Sequence, residues 1–221
     1  MTRDLVKDLF CRYLGDVGPE SMDDGAVLPS AGGKLVFTTD SYVVSPLEFP
    51  GGNIGTLAVC GTVNDLAVMG ARPLSLSLGV ILEAGLEFEA LERIVKSDLK
   101  SDCAPLNGML SELLSNVSVK WMRDATRGGV ATVLNELTEG RNWGVLLEER
   151  KIPVSEVVSG GAELLGLDPL YSANEGKTVL VVPADEAEKA LKCLKNTDYG
   201  HDARVVGSVI GEYPGELVLD T

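Results

Sequence analysis

Apolar residues recur along this chain with two periods. Leu5, Val6, Leu9, Phe10, Tyr13 and Leu14 stand at helical spacing and predict a helix over 3–14. Asn53 can cap a second helix, Ile54 to Met69, which is apolar nearly all round and therefore predicted to be buried. Further helices are predicted from Phe88 to Lys96, from Ala104-Pro105 to near Ser115, from Gly128-Gly129 to near Gly140, and over 184–195. The other period is two. Leu74, Leu76, Leu78 and Val80 alternate with Ser75, Ser77 and Gly79, the pattern of a half-buried strand. Leu35 to Thr39 predicts a strand running into Asp40, Val145 to Leu147 a short one, Thr178 to Val182 a buried one, and Arg204 to Ile210 another. Helices and strands are intermingled, so the expected class is layered α/β or α+β. The helical pattern stops at Ser97-Asp98-Leu99-Lys100-Ser101-Asp102, the expected boundary between two domains, 1–97 and 98–221.

Composition narrows the function. The chain has 221 residues, 19 basic against 33 acidic, for a net charge of −14. That balance argues against nucleic-acid binding, which needs a basic stripe, and against a polybasic membrane anchor. No apolar run has the roughly 18 residues of a membrane helix, and MTRDLVKDLF carries no signal-peptide apolar core. Cys11, Cys60, Cys103 and Cys193 form no CxxC and read as reduced thiols of a cytoplasmic protein. His201 is the single histidine, which speaks against a histidine-rich zinc site and against a Ser–His or Cys–His pair. Chemistry here must rest on carboxylates, amides, Lys, Arg and glycine-rich backbone.

The segment IGTLAVCGTVNDLAVM, 54–69, is the most informative. Asn64-Asp65 lies in its middle, and a carboxylate inside an apolar helix is costly unless paired, hydrogen-bonded or metal-bound. Asp65 therefore meets a buried cation, caps a neighbouring backbone, or belongs to a site. Asp40, ending an apolar strand, reads as a turn former or as a site residue at a strand end. Asp23-Asp24-Gly25 reads as an Asx turn or as further carboxylates; together these groups offer oxygen chemistry suited to Mg²⁺ with substrate phosphates. Arg123-Asp124-Ala125-Thr126-Arg127-Gly128-Gly129 precedes a helix and is either an anion site at its amino end or a solvated loop. Asn174-Glu175-Gly176-Lys177 precedes the strand at 178 and is either a charged turn or a base held at a strand edge. Cys60 and Cys193 read as small core residues.

Several strings taken together resemble the HypE family of hydrogenase maturation proteins, within the aminoimidazole ribonucleotide (AIR) synthetase-like, or PurM-like, superfamily. They are DDGAVL at 23–28, TTDSYVVSPLEFPGGNIG at 38–55, AVCGTVNDLAVMGARPL at 58–74, SDCAPLNG at 101–108, RDATRGGVATVLNEL at 123–137 and ELLGLDPLYSANEGK at 163–177. The resemblance implies a two-domain PurM-like fold: an amino-terminal dimerisation and ATP-binding domain whose sheet pairs with its copy in a homodimer, and a carboxy-terminal mixed sheet covered by helices. It implies ATP and Mg²⁺ as cofactors. By motif, Glu175 and Asp124 would be catalytic, with Glu175 as the acid–base group. Asp24, Asp40, Asn64, Asp65 and Asn174 would bind ATP, and Asp24, Asp40 and Asp65 would hold the metal. The implied reaction is ATP-dependent dehydration of a protein-bound S-carboxamide to a thiocyanate, for the cyanide ligand of [NiFe]-hydrogenase. The implied partners are a HypF-like carbamoyltransferase and a HypC–HypD-like complex. Where the family carries a long further segment with a GDTK-type strand end, this sequence runs from Lys96-Ser97 to Asp98-Leu99, and it ends at Asp220-Thr221 without the family's Pro-Arg-Ile-Cys tail. The other readings are a shortened, non-catalytic docking protein of the same fold, or another ATP-using PurM-like enzyme.

Overall fold

The computed structural model describes residues 9, 11–13, 32–83, 85–95, 103–126 and 128–221. Of the helix expected over 3–14, the described part is α1, Cys11–Tyr13; the expected domain boundary and Asp23-Asp24 lie outside the described residues.

A two-residue hairpin, β1 (Glu48–Phe49) and β2 (Gly52–Asn53), delivers the chain into α2, Ile54–Val68. Asn53 caps this helix as expected. Its backbone is extended, and its side chain accepts a hydrogen bond from the Thr56 N–H at 2.9 Å, satisfying a donor the first turn leaves without an intrahelical partner. The helices α3 (Phe88–Val95) and α4 (Asn107–Asn116) follow, then β3 (Trp121–Asp124) and α5 (Gly129–Thr138). Next come β4 (Gly144–Glu148), α6 (Glu156–Leu165), β5 (Thr178–Val181), α7 (Ala187–Lys195), β6 (Gly207–Ile210) and β7 (Leu217–Asp220).

The strands form two small sheets besides the hairpin. In one, β3 and β5 run antiparallel with Asp124 opposite Thr178. In the other, β4 is central, antiparallel to β6 and parallel to β7, so this sheet is mixed. Two apolar clusters hold the layers together. Ala67 of α2 packs with Leu106, Leu110 and Leu113 around α4 and with Ala190 and Leu194 of α7. Leu134 and Leu137 of α5 pack on Val145 and Leu147 of β4, flanked by Trp121, Val179 and Val181. Each fully buried leucine contributes about 1.5–3 kcal/mol relative to an exposed one.

Two expected strands are corrected. Residues 35–39 and 74–80 join no sheet among the described residues. Leu35 is 83% and Phe37 80% exposed, while Leu74, Leu76 and Val80 are about half-exposed without a paired strand beside them. Alternation records which face would be buried; a strand also needs a neighbour for its N–H and C=O groups. The pattern missed β3, α6 and β7. Trp121–Asp124 has four different side-chain types and no alternation, α6 contains Gly160-Gly161, and β7 ends in charge.

Candidate functional site

The site is built around one face of α2. Asn64 is fully buried and uses its whole amide. Its Nδ2 donates to the Ala104 carbonyl at 2.9 Å and to the Glu175 carbonyl, and its Oδ1 accepts from the Leu106 N–H at 2.8 Å. One side chain therefore ties together three segments remote in sequence. The same fastening continues along the backbone, where the Asn174 N–H donates to the Ala125 carbonyl and the Ala125 N–H to the Lys177 carbonyl, each at 3.0 Å. This extends the β3–β5 pairing and sets Asp124, 5% exposed, next to the Asn174-Glu175 turn. Asn174 steadies that turn, its Oδ1 accepting from the Gly176 N–H at 2.8 Å.

The neighbouring residue on α2 carries the charge. Thr38 donates its hydroxyl to Asp65 Oδ2 at 3.1 Å. Burial, above all, lifts the Asp65 carboxyl to about 6, assisted by the negative charge of Asp40, then that of Asp124, and by a hydrogen bond shared with Asp40; the Thr38 bond pulls the other way. Asp65 therefore feels the charges of both Asp40 and Asp124, although the three are far apart in sequence. Glu175 reaches the same helix. A Cβ placed on Gly61 would lie 2.8 Å from Glu175 Oε2 and 2.0 Å from the Tyr42 hydroxyl, so any larger residue there would have to push these two side-chain ends aside. Burial also raises the Cys60 thiol to about 11, helped by Cys103 and Glu175, which keeps it protonated as the core residue expected from sequence.

Of the expected site residues, Asp40, Asn64, Asp65, Asp124, Asn174 and Glu175 are thus brought together; Asp24 lies outside the described residues. The second group of interest resolves differently. Arg123 is engaged by Glu136 at 2.7 Å, and α5 begins on Gly128-Gly129 with both φ positive. Gly129 is required by packing, since a Cβ there would sit 2.4 Å from the Leu170 carbonyl oxygen. Tyr42, Gly61 and Thr62 were missed. The available signal was a glycine inside an apolar helix, which marks close approach of another group.

Among the described residues, no three His, Cys, Asp or Glu side chains are placed to hold a metal by themselves. The donor set nevertheless suits Mg²⁺, which is commonly held by one or two carboxylates with phosphate oxygens completing its shell. Asp40 and Asp65 are such a pair, and their mutual repulsion is what a cation would relieve.

The raised Asp65 carboxyl has a consequence for stability. The folded form binds the proton more tightly than the unfolded chain, so this group's contribution is complete below its ordinary value and is lost as pH rises toward about 6. Without nucleotide, Asp65→Asn should therefore melt higher than the unsubstituted protein at pH 7.5, with the gap closing by about pH 4. Thermal melts at the two pH values check this.

Carboxylates carried by α2, by the segment before it and by the end of the antiparallel β3–β5 pair, next to a mixed sheet covered by helices, fit a PurM-like fold. Residues 62–220 match the family described as AIR synthase related protein, C-terminal domain. The chain is 33% identical to a putative hydrogenase expression/formation protein of Methanocaldococcus jannaschii, covering 98% of this chain and 90% of the relative. It is 34% identical to the carbamoyl dehydratase HypE of Rhodobacter capsulatus, covering 99% and 88%. Among solved structures, HypE in complex with ATP superposes with a TM-score of 0.91 at 32% identity, covering 99% and 90%, and a HypE–HypF complex with 0.74 at 30%, covering 98% and 95%. The chain belongs to the HypE family of hydrogenase maturation proteins. The alignment with the archaeal relative spans 300 positions against 221 residues here, so at least 79 positions of that alignment have no counterpart in this chain. Among the described residues, no helix is long and apolar enough to cross a membrane.

Proposed function

We propose that this chain is an ATP-dependent carbamoyl dehydratase, converting a thiol-bound carboxamide to a thiocyanate for the cyanide ligand of [NiFe]-hydrogenase. The observation that carries the reading is the Asn64 clamp, which holds the Glu175 turn against the helix that carries Asp65. Bound Mg²⁺ would neutralise phosphate charge and orient the triphosphate. Asp40 and Asp65, with Asp24, would hold it, while Asn64 and Asn174 fix the backbone around the nucleotide. Phosphorylation of the carboxamide oxygen makes it a leaving group. One N–H proton passes to solvent as the oxygen is phosphorylated, Glu175 takes the second as the carbon–nitrogen triple bond forms and phosphate departs, and Asp124 lines the site beside the Glu175 turn, which the Ala125 backbone holds in place. In this reading the protein works as a homodimer in the cytoplasm, receives its carbamoyl group from a HypF-like carbamoyltransferase and passes cyanide to a HypC–HypD-like complex. The solved HypE–HypF complex supports the first of those partners.

A second reading has its own observation: relatives carry positions that this chain lacks, and the apolar residues at 35–37 and 74–82 are exposed. A non-catalytic docking protein of the same fold would present such a face. The two readings separate in one assay. The protein is given MgATP and a peptide ending in an S-carboxamide cysteine, and the peptide is weighed. Loss of one water with consumption of ATP supports the dehydratase; an unchanged peptide and unconsumed ATP support the docking protein.

A further inference from the structure

Tyr42 is the polar side chain at this cleft that the dehydratase reading leaves without a role. It is half-buried, and its hydroxyl lies against Gly61. Tyr42 Oη lies 2.0 Å and Glu175 Oε2 2.8 Å from the point where a Gly61 Cβ would stand, so both oxygens occupy the space over this glycine. Thr62 is also hydrogen-bonded to the phenol. A phenol carries its proton at neutral pH, so Tyr42 has an O–H to donate. Gly61 makes the encounter feasible: it gives up helix stability to leave room for both oxygens.

We propose that Tyr42 is a positioning residue whose phenol O–H donates to the Glu175 carboxylate and aims it at the carboxamide protons. The contact closes fully in the substrate complex, as catalytic hydrogen bonds commonly tighten on binding. The proposal rests on the dehydratase reading, and it adds a tyrosine–glutamate pair mounted over a helix glycine.

The test is a double-mutant cycle of Tyr42→Phe and Glu175→Gln, read in two ways. Tyr42→Phe keeps the ring, so the fold is retained. In melts of the ligand-free protein, interacting groups give a double variant that loses no more than the worse single variant. In the S-carboxamide assay, Tyr42→Phe is expected to lower kcat about tenfold to a hundredfold, the cost of a misaimed group. The KM for ATP should stay within about twofold, and the substitution should cost nothing further in the Glu175→Gln background. Additive melting shifts, or a raised KM with unchanged kcat, overturn the positioning role while an active unsubstituted protein leaves the dehydratase reading standing. An inactive unsubstituted protein overturns that reading, and the role with it.

Discussion

Replacing Glu175 by glutamine is expected to abolish most of the dehydration while leaving MgATP binding nearly intact. The substitution is close to isosteric, so the Glu175 carbonyl still accepts from Asn64 and the turn before β5 is retained. What is lost is a carboxylate reaching Gly61 at the rim of the cleft. General-base groups contribute about 10²–10⁴-fold, and kcat should fall by that factor with the affinity for MgATP changed only a few-fold. Single-turnover kinetics with the S-carboxamide peptide checks it, because binding and chemistry then separate. Turnover within about threefold of the unsubstituted protein would remove Glu175 from the mechanism.

Replacing Asn64 by alanine should be the most destabilising single change at the site. It strands the Ala104 and Glu175 carbonyls and the Leu106 N–H in a region where Asn64 itself has no solvent contact. An unsatisfied buried group costs about 1–3 kcal/mol. Allowing for one of the three to find water, the loss is about 3 kcal/mol, or roughly 10 °C in melting temperature for a chain of this size. Activity should fall further than stability explains, since the same bonds hold the glutamate turn against α2. Asn64→Asp keeps the acceptor for Leu106 but faces two carbonyls with a carboxylate beside Asp65, and should be no better. A melting temperature within about 2 °C of the unsubstituted protein would contradict the clamp.

Much of this site could be read before the fold was known. Asp65 stands out because a carboxylate in an apolar helix is costly: Thr38 offsets part of that cost, and burial with the Asp40 charge beside it shows the rest as a carboxyl lifted to about 6. Asn64 was named for its motif, but its three bonds could not be foreseen, because their partners are 40 or more residues away. Tyr42 and Gly61 escaped for the same reason, since their relation exists only once α2 meets the turn at 174–177. The helix Ile54–Val68, a long apolar run behind a capping Asn, and the amphipathic helix Phe88–Val95 both match expectation to within a residue. The strands expected over 35–39 and 74–80 did not, since alternation says nothing about whether a neighbour is there to pair with. The arginine-glycine run at 123–129 was ambiguous because charge alone cannot tell an anion site from an ion pair, and Arg123 is paired with Glu136.

The central claim is that acidic side chains from separate stretches of the chain jointly hold a magnesium nucleotide, and calorimetric titration with MgATP tests it most directly. The unsubstituted protein should bind saturably, and Asp65→Asn should weaken binding by about a hundredfold or more, in line with the cost of removing one partner from a partly buried charged contact. Equal binding by the two proteins, or none by either, would contradict the account.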